Sequence, residues 1–491
     1  MFNHLVISFH KYYYYIINVE QQKLKKMKII SKTIKFLPLF LMALVITSCS
    51  YDDDNGGTTT TPPQLNIVET AIATSELTSL VAALQAADGD LVTVLSGSGP
   101  FTVLAPTNAA FATFLSDNNF ANLSDVPTDV LSQILLNHVI SADLSSTDLT
   151  GLGAGYTRTN ATGAGGNTMS IYFNTSNGVR FNNVSSVSTA DVSASNGTVH
   201  IVDAVIGLPS IVDHAVNNSN FSELAGALTS EDLVTTLQGA GPFTVLAPVN
   251  DAFSDFTNPD SNALSNILLN HVLVGAITST DLVSLGNIYT NSLATGPNDN
   301  AISLYSNTDN GVRFNGVSSV AIADVIGTNG IIHAVDAVID IPSVVTFATA
   351  DPNFSTLVTA LTTLTPETDF VATLSTSNGT SPAPFTVFAP TNDAFAALDA
   401  IPAEDVLTQV LLHHVLGNAN VTSTNLVASN GAAPTMLNGQ AITISLPGTE
   451  DNIADVTDGA GNTDIGIIAV DVQAGNGVIH VLNKVMLPSA D

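Results

Sequence analysis

The stretch FTVLAPTNAAF, beginning at Phe101, returns as FTVLAPVNDAF from Phe243 and as FTVFAPTNDAF from Phe385, at equal intervals. In the first copy Phe101, Val103 and Ala105 alternate with Thr102 and Leu104, the period of a buried strand. Pro106 ends that strand, and Phe111 and Phe114, three apart, open a helical face. Thr107 or Asn108 is placed to cap the helix with a side-chain oxygen, a contribution of about 0.5–2 kcal/mol. The third copy repeats this with Pro390, Thr391, Asn392 and Asp393. The second has Val249 where the others have threonine, so its cap is expected from Asn250 or Asp251.

Two further blocks follow in the same order each time. ILLNHVI from Ile134, ILLNHVL from Ile267 and VLLHHVL from Val410 form the first. Leu131, Leu135 and His138 lie at i, i+4 and i+7, on one apolar helical stripe, and the other two copies match. His138, His271 and His414 are therefore expected to point inward at the helix end. A buried imidazole needs a partner for its N–H, and a Thr or Asn of the first block is the expected one. This reading favours a structural histidine over a zinc ligand, which would need several donors converging. The closing block reads NGTVHIVDAVIGLP from Asn196, NGIIHAVDAVIDIP from Asn329 and NGVIHVLNKVMLP from Asn476. Asn-Gly marks a hairpin turn because both residues tolerate positive φ. The strand after it is apolar on both faces and should be central. His200, His333 and His480 are expected in the core or at an interface, and Pro209, Pro342 and Pro488 close the units. Units one and two also share NGVRFN, from Asn177 and Asn310.

These blocks set three units, 65–209, 210–342 and 343–488. The period is too long for a solenoid repeat, so the units are tandem domains. Their linkers are short, which predicts a semi-rigid rod. The ordered blocks resemble fasciclin (FAS1) domains, and the resemblance covers nearly all of the chain after residue 64. It implies an α+β fold: three tandem FAS1-type domains, each a wedge-shaped β-sandwich of about seven strands with packed α-helices. It also implies cell adhesion and attachment to matrix or carbohydrate, without enzymatic activity. In eukaryotic members a tyrosine precedes the recurring histidine, and that pair is linked to integrin adhesion. Here the position holds Asn137, Asn270 and His413, so adhesion is expected to use another surface or partner.

Residues 1–48 read as an upstream extension and a lipoprotein signal peptide, with Met27 the expected start. Lys28, Lys32 and Lys35 precede an apolar run from Phe36 to Ile46, shorter than the roughly 20 residues a membrane-spanning helix needs. Ile46-Thr47-Ser48-Cys49 resembles a bacterial lipobox, in which Cys49 is lipidated and becomes the first mature residue. Residues 49–64 should be a flexible tether. Its acidic Asp52-Asp53-Asp54 resembles a signal that sends some lipoproteins to the outer face of the outer membrane. Cys49 is the sole cysteine, so no intrachain disulfide is possible.

The charge is lopsided. Seven of the 11 Lys and Arg precede Cys49, whereas of the 42 acidic residues only Glu20 does. Arg158, Arg180, Arg313 and Lys484 are the cations that remain. Such a surface repels phosphate backbones, which argues against nucleic-acid binding. No G-x-S-x-G, H-E-x-x-H or P-loop lysine occurs. Asp458, Asn462 and Asp464 offer oxygens to a Ca²⁺ ion, but their spacing is not that of an EF-hand, and a polar loop is the expectation. The expected protein has no catalytic centre, metal or cofactor. It is a lipid-anchored, surface-exposed outer-membrane protein that binds cell-surface or matrix proteins or glycans multivalently. The alternative is a glycan-binding accessory lipoprotein of a nutrient-uptake system, against which the absence of Trp and only 6% aromatic residues count.

Overall fold

The computed structural model describes residues 64–428, 431 and 433–490. The signal peptide, Cys49 and all of the tether before Gln64 lie outside the described residues. Each domain opens with short helices and continues into a sheet. In domain 1 the strands are β1 (Phe101–Pro106), β2 (Val139–Ile140), β3 (Ala154–Thr162), β4 (Thr168–Asn174), β5 (Arg180–Phe181), β6 (Ser185–Ala194) and β7 (Gly197–Val202). They are ordered β2-β1-β7-β6-β5-β4-β3. Domain 2 repeats the series as β8 (Phe243–Pro248), β9 (Val272–Val274), β10 (Ile288–Thr295), β11 (Ala301–Asn307), β12 (Arg313–Phe314), β13 (Ser318–Ile326) and β14 (Gly330–Val335). Its sheet closes into a barrel, because Ser292 of β10 pairs with Leu273 of β9. Domain 3 has six strands: β15 (Phe385–Pro390), β16 (Val415–Leu416), β17 (Thr443–Ser445), β18 (Ala454–Thr457), β19 (Ile465–Ala474) and β20 (Gly477–Leu482). The architecture is thus three tandem α+β domains.

The two most regular blocks of sequence meet at the centre. Strand β1 runs parallel to β7, with Val103 opposite Val199 and Ala105 opposite Ile201. The same parallel pairing joins β8 to β14 and β15 to β20. Alternation along β1 divides two cores. Val103 and Ala105 face a helix-side cluster with Leu77, Leu80, Phe111 and Leu135. Leu104 faces a second cluster with Ile171, Phe173, Phe181 and Ile206. Val245 and Ala247 against Leu246, and Val387 and Ala389 against Phe388, divide the other domains in the same way. With both faces buried, these are central strands, as the apolar runs predict.

Strand β6 bends sharply. Its register against β7 shifts on either side of Thr189, and Asp191 sits at φ 58°. Asp324 (φ 61°) and Asp471 (φ 64°) mark the same bulge in β13 and β19. Such a bulge lets one strand serve both layers of a sandwich.

Each domain's first helix follows at once from the preceding domain. Ser210 caps Ile211–Asn217 in a capping box with Asp213, and Ser343 caps Val344–Ala350 in one with Thr346. Among the described residues no single helix is long and apolar enough to cross a membrane.

Candidate functional site

The recurring histidines are the obvious chemical candidates, and the structure buries all of them. His138 follows the helix Thr128–Asn137 as its cap and is 2% exposed. The Ile206 N–H donates to its Nε2 at 2.9 Å, so the ring proton is on Nδ1, which donates to the Ile134 carbonyl at 2.7 Å. His271 repeats this between Ile339 and Ile267, and His414 between Met486 and Val410. The expected Thr or Asn partner is therefore incorrect: a helix carbonyl four residues back and an amide beyond the last strand take both nitrogens. No lone pair is left for a metal or a proton transfer. Burial pushes all three rings down to a pKa of about 4.

His200 of β7 holds the opposite tautomer. The Asp191 N–H donates to its Nδ1 at 3.2 Å, and its Nε2–H donates to the Leu144 carbonyl at 2.9 Å. His333 does the same with Asp324 and Ile277. In domain 3, Nε2–H of His480 donates to the Val421 carbonyl at 2.7 Å. The bulge carboxylates bind helix starts: Asp191 accepts from the Ser146 amide and hydroxyl, Asp324 from those of Ser279, and Asp471 from those of Ser423. In domains 1 and 2 a Ser, an Asp and a His thus meet, but the serine hydroxyl is spent on the carboxylate and is not presented to the ring as a nucleophile would be.

The first-block residues divide their roles. Thr107 and Thr391 cap their helices, accepting from Ala110 and Ala394 at 3.2 Å. Asn108 and Asn392 reach back instead to the domain's opening helices. Asn108 accepts from the Ser79 amide and donates to the Ser75 carbonyl, and Asn392 does so with Thr356 and Pro352. Asn250 makes the same tie to Glu223 and Ser219. The expected cap from Asn250 or Asp251 is not formed, and the helix beginning there has no side-chain cap. Asn250 lies one residue too far along, with its amide already committed.

The Asn-Gly pairs work differently from a plain turn. Asn196 is buried, donates to the carbonyls of Leu95 and Gly97, and accepts from the Ile67 amide. Asn329 and Asn476 make the matching three bonds. Gly197 lies so close to β1 that a Cβ there would meet the Phe101 carbonyl oxygen at 1.9 Å. The positions before the recurring histidine are also interior: Asn137, Asn270 and His413 are fully buried. The acidic loop of domain 3 closes on itself. Asp458 accepts from the Asn462 amide and side chain and from the Leu487 amide, while Asp464 pairs with Lys484. Among the described residues no cluster of His, Cys, Asp and Glu is arranged to hold a metal ion.

What the sequence blocks do not mark is the seam between domains. Tyr156 of β3 and Tyr172 of β4 pack with tilted rings, centroids 5.3 Å apart, and Tyr156 meets His214 of domain 2 edge-on at 5.5 Å. Asn218 donates to the Tyr156 hydroxyl at 3.1 Å. At the next seam Tyr289 and Tyr305 pack with tilted rings, centroids 4.8 Å apart, and Tyr289 meets Phe347 edge-on. Both hydroxyls donate to Asp351, which stands where domain 2 has Asn218. Ser170 and Ser303 accept from Ile326 and Gln473 across the two seams. The β3–β4 turn docks so closely that a Cβ on Gly163 would fall 2.7 Å from Ile326 and 2.8 Å from the Gly327 carbonyl oxygen. One signal for the Ser–Asp ties and their neighbouring histidines is present: each bulge aspartate stands nine residues before its histidine.

Three α+β domains, joined by repeated seams and holding their imidazoles inside, define a tandem scaffold that presents surface. The fasciclin-domain family profile matches residues 75–209, 219–342 and 352–488. The chain belongs to the fasciclin-domain family. It is 26% identical over 444 residues to the transforming growth factor-beta-induced protein ig-h3 of Oryctolagus cuniculus, covering 87% of this chain and 58% of that protein. It is likewise 26% identical to periostin of Homo sapiens over 436 residues, covering 85% of this chain and 46% of that one. Protein sll1483 of Synechocystis is 37% identical over 142 residues, 29% of this chain and 73% of its own length. The chain thus spans about half the length of the first two. A FAS1 domain pair from the insect cell adhesion molecule fasciclin I aligns with 54% of the chain, at 20% identity and a TM-score of 0.35.

Proposed function

We propose that this protein is a non-enzymatic surface adhesion protein. It is tethered through lipidated Cys49 to the outer face of the outer membrane and binds cell-surface or matrix proteins or glycans through repeated fasciclin domains. The observation that carries this reading is that the scaffold itself consumes the recurring helix-end histidines and the closing-block asparagines. The rings of His138, His271 and His414 have both nitrogens bonded to backbone, and Asn196, Asn329 and Asn476 are tied at both ends of the amide. What remains for function is surface, and it recurs. Leu152 and Leu285 are exposed at matching helix ends, and Val184 and Val317 at matching turns. Weak contacts repeated on one tether gain from effective concentration.

The test is a deletion strain assayed for attachment to cells, to matrix-coated and to glycan-coated surfaces. Loss of attachment restored by the intact gene supports the reading, and unchanged attachment on every surface refutes it. Complementation with Cys49→Ala is expected to leave the protein out of the membrane fraction. If that variant still sediments with membranes, the anchor is elsewhere.

A further inference from the structure

We propose that the seam between domains 1 and 2 is an acid-sensitive joint, while the corresponding seam between domains 2 and 3 is not. The two seams share their tyrosine pairs, their serine acceptors and their docked turns. They differ at the residue beneath the outer tyrosine and at its hydroxyl's partner, Asn218 at the first seam and Asp351 at the second. Domain 3 places Phe347 there; domain 2 places His214, which is 1% exposed. The Nε2–H of His214 donates to the Ile326 carbonyl at 3.2 Å. Its Nδ1 is buried, and among the described residues no hydrogen-bond partner reaches it. A proton can therefore join Nδ1 without breaking a bond, but the charge it creates is sealed between two domains.

The surroundings do not solvate that charge. Asp213 lies beside His214 on the same helix and favours protonation. From domain 1, Arg158 of β3 opposes it, and Tyr156 faces the ring with its hydroxyl already accepting from Asn218. From β13, Asp324 gives its carbonyl to Arg158 and its carboxylate to Ser279, so no carboxylate is free to meet the imidazolium. Arg180, the remaining cation of domain 1, binds the Asn183 carbonyl in the turn that docks on Asn217. Burial, an unpartnered Nδ1 and the nearby Arg158 outweigh Asp213 and make this a poor place for positive charge. Separating the domains would return the ring to water.

The sign follows from linkage. The docked ring holds its proton less tightly, at a pKa of about 4 against 6.5 in water. Docking is therefore fully favoured above pH 6.5 and weakens as the pH falls toward 4. If separation restores the free value, the docked-to-separated ratio falls ~20-fold between neutral pH and pH 5.

The experiment uses the full chain carrying Cys49→Ser, with spin labels on cysteines at exposed Ser116 and Ser230 for the first seam and at Ser230 and Thr362 for the second. The expected result is a Ser116–Ser230 distance distribution that broadens between pH 7 and pH 5, with Ser230–Thr362 unchanged. His214→Phe should abolish the response, and Phe347→His combined with Asp351→Asn, which together copy domain 2, should create one at the second seam. Equal responses at both seams, no response at the first in the otherwise native chain, or a response surviving in a folded His214→Phe protein would each overturn the proposal. The last would assign the acid effect to the core rings of His138 and His271.

Discussion

At the residue scale, His138 is held by a carbonyl on one side and an amide on the other, inside a cluster of leucines and valines. Replacing it with alanine orphans both backbone groups, each worth about 1–3 kcal/mol when buried unpaired. His138→Ala should therefore lower the stability of domain 1 by about 2–5 kcal/mol, read as a lower midpoint in urea unfolding. Ligand binding by the other domains should be unaffected. The same ring sets a pH limit. Its folded pKa of about 4 lies below the ordinary imidazole value of 6.5, so the unfolded chain binds the proton more tightly. Stability is complete above pH 6.5 and is lost as the pH falls toward 4, by about 3 kcal/mol for each such ring. His271 and His414 impose the same limit on domains 2 and 3. Urea midpoints measured from pH 7 down to pH 4 should fall steadily across that window, and a flat profile would contradict the assignment.

At the scale of elements, the helix beginning at Asn250 has Val249 where its counterparts have a capping threonine. Val249→Thr should supply the missing acceptor and raise the stability of domain 2 by about 0.5–2 kcal/mol. A thermal melt that does not shift upward would show that the site is already satisfied in another way. Elements also show where sequence reading succeeds and where it stops. The strand at Phe101–Pro106 and the helix ending at His138 were legible because their side chains alternate with the period of the structure they form. The ties made by Asn196 were not. Its partners, Leu95, Gly97 and Ile67, lie 99 to 129 residues away, and local periodicity carries no information about such a distance. Asn196-Gly197 reads as a turn with permissive φ; the turn is there, but of the pair only Gly197 takes positive φ. The glycine's greater service is to let β7 approach β1, and the asparagine's is to bind the domain's first helix.

At the scale of the molecule, the three domains are not independent beads. Asp351 receives the hydroxyls of both Tyr289 and Tyr305 across the second seam. Asp351→Ala leaves both hydroxyls without their acceptor, at a cost of about 1–3 kcal/mol. Scanning calorimetry should then show domain 3 melting ahead of domain 2, where the unaltered chain melts them together. A single undivided transition in the variant would mean that the tyrosines hold the seam through ring packing alone. The seams were also the part of the molecule least legible beforehand. Tyr156 and Tyr289 stand in stretches of ordinary strand pattern, and nothing in their neighbours announces a partner in the next domain.

The central parallel pairing of β1 with β7 has a consequence for how the chain comes to be folded. The strand that completes each sheet is the last one made, and it inserts at the middle of the sheet beside a strand made about a hundred residues earlier. Contacts so far apart along the chain make for slow folding. A growing chain that has emerged only as far as Ser195 lacks the keystone of domain 1, and its helix-side leucines stay open to water or to a chaperone. Each domain must therefore wait for its own final strand before it can close, and the three are expected to acquire protease resistance in order, one step per domain, as length is added.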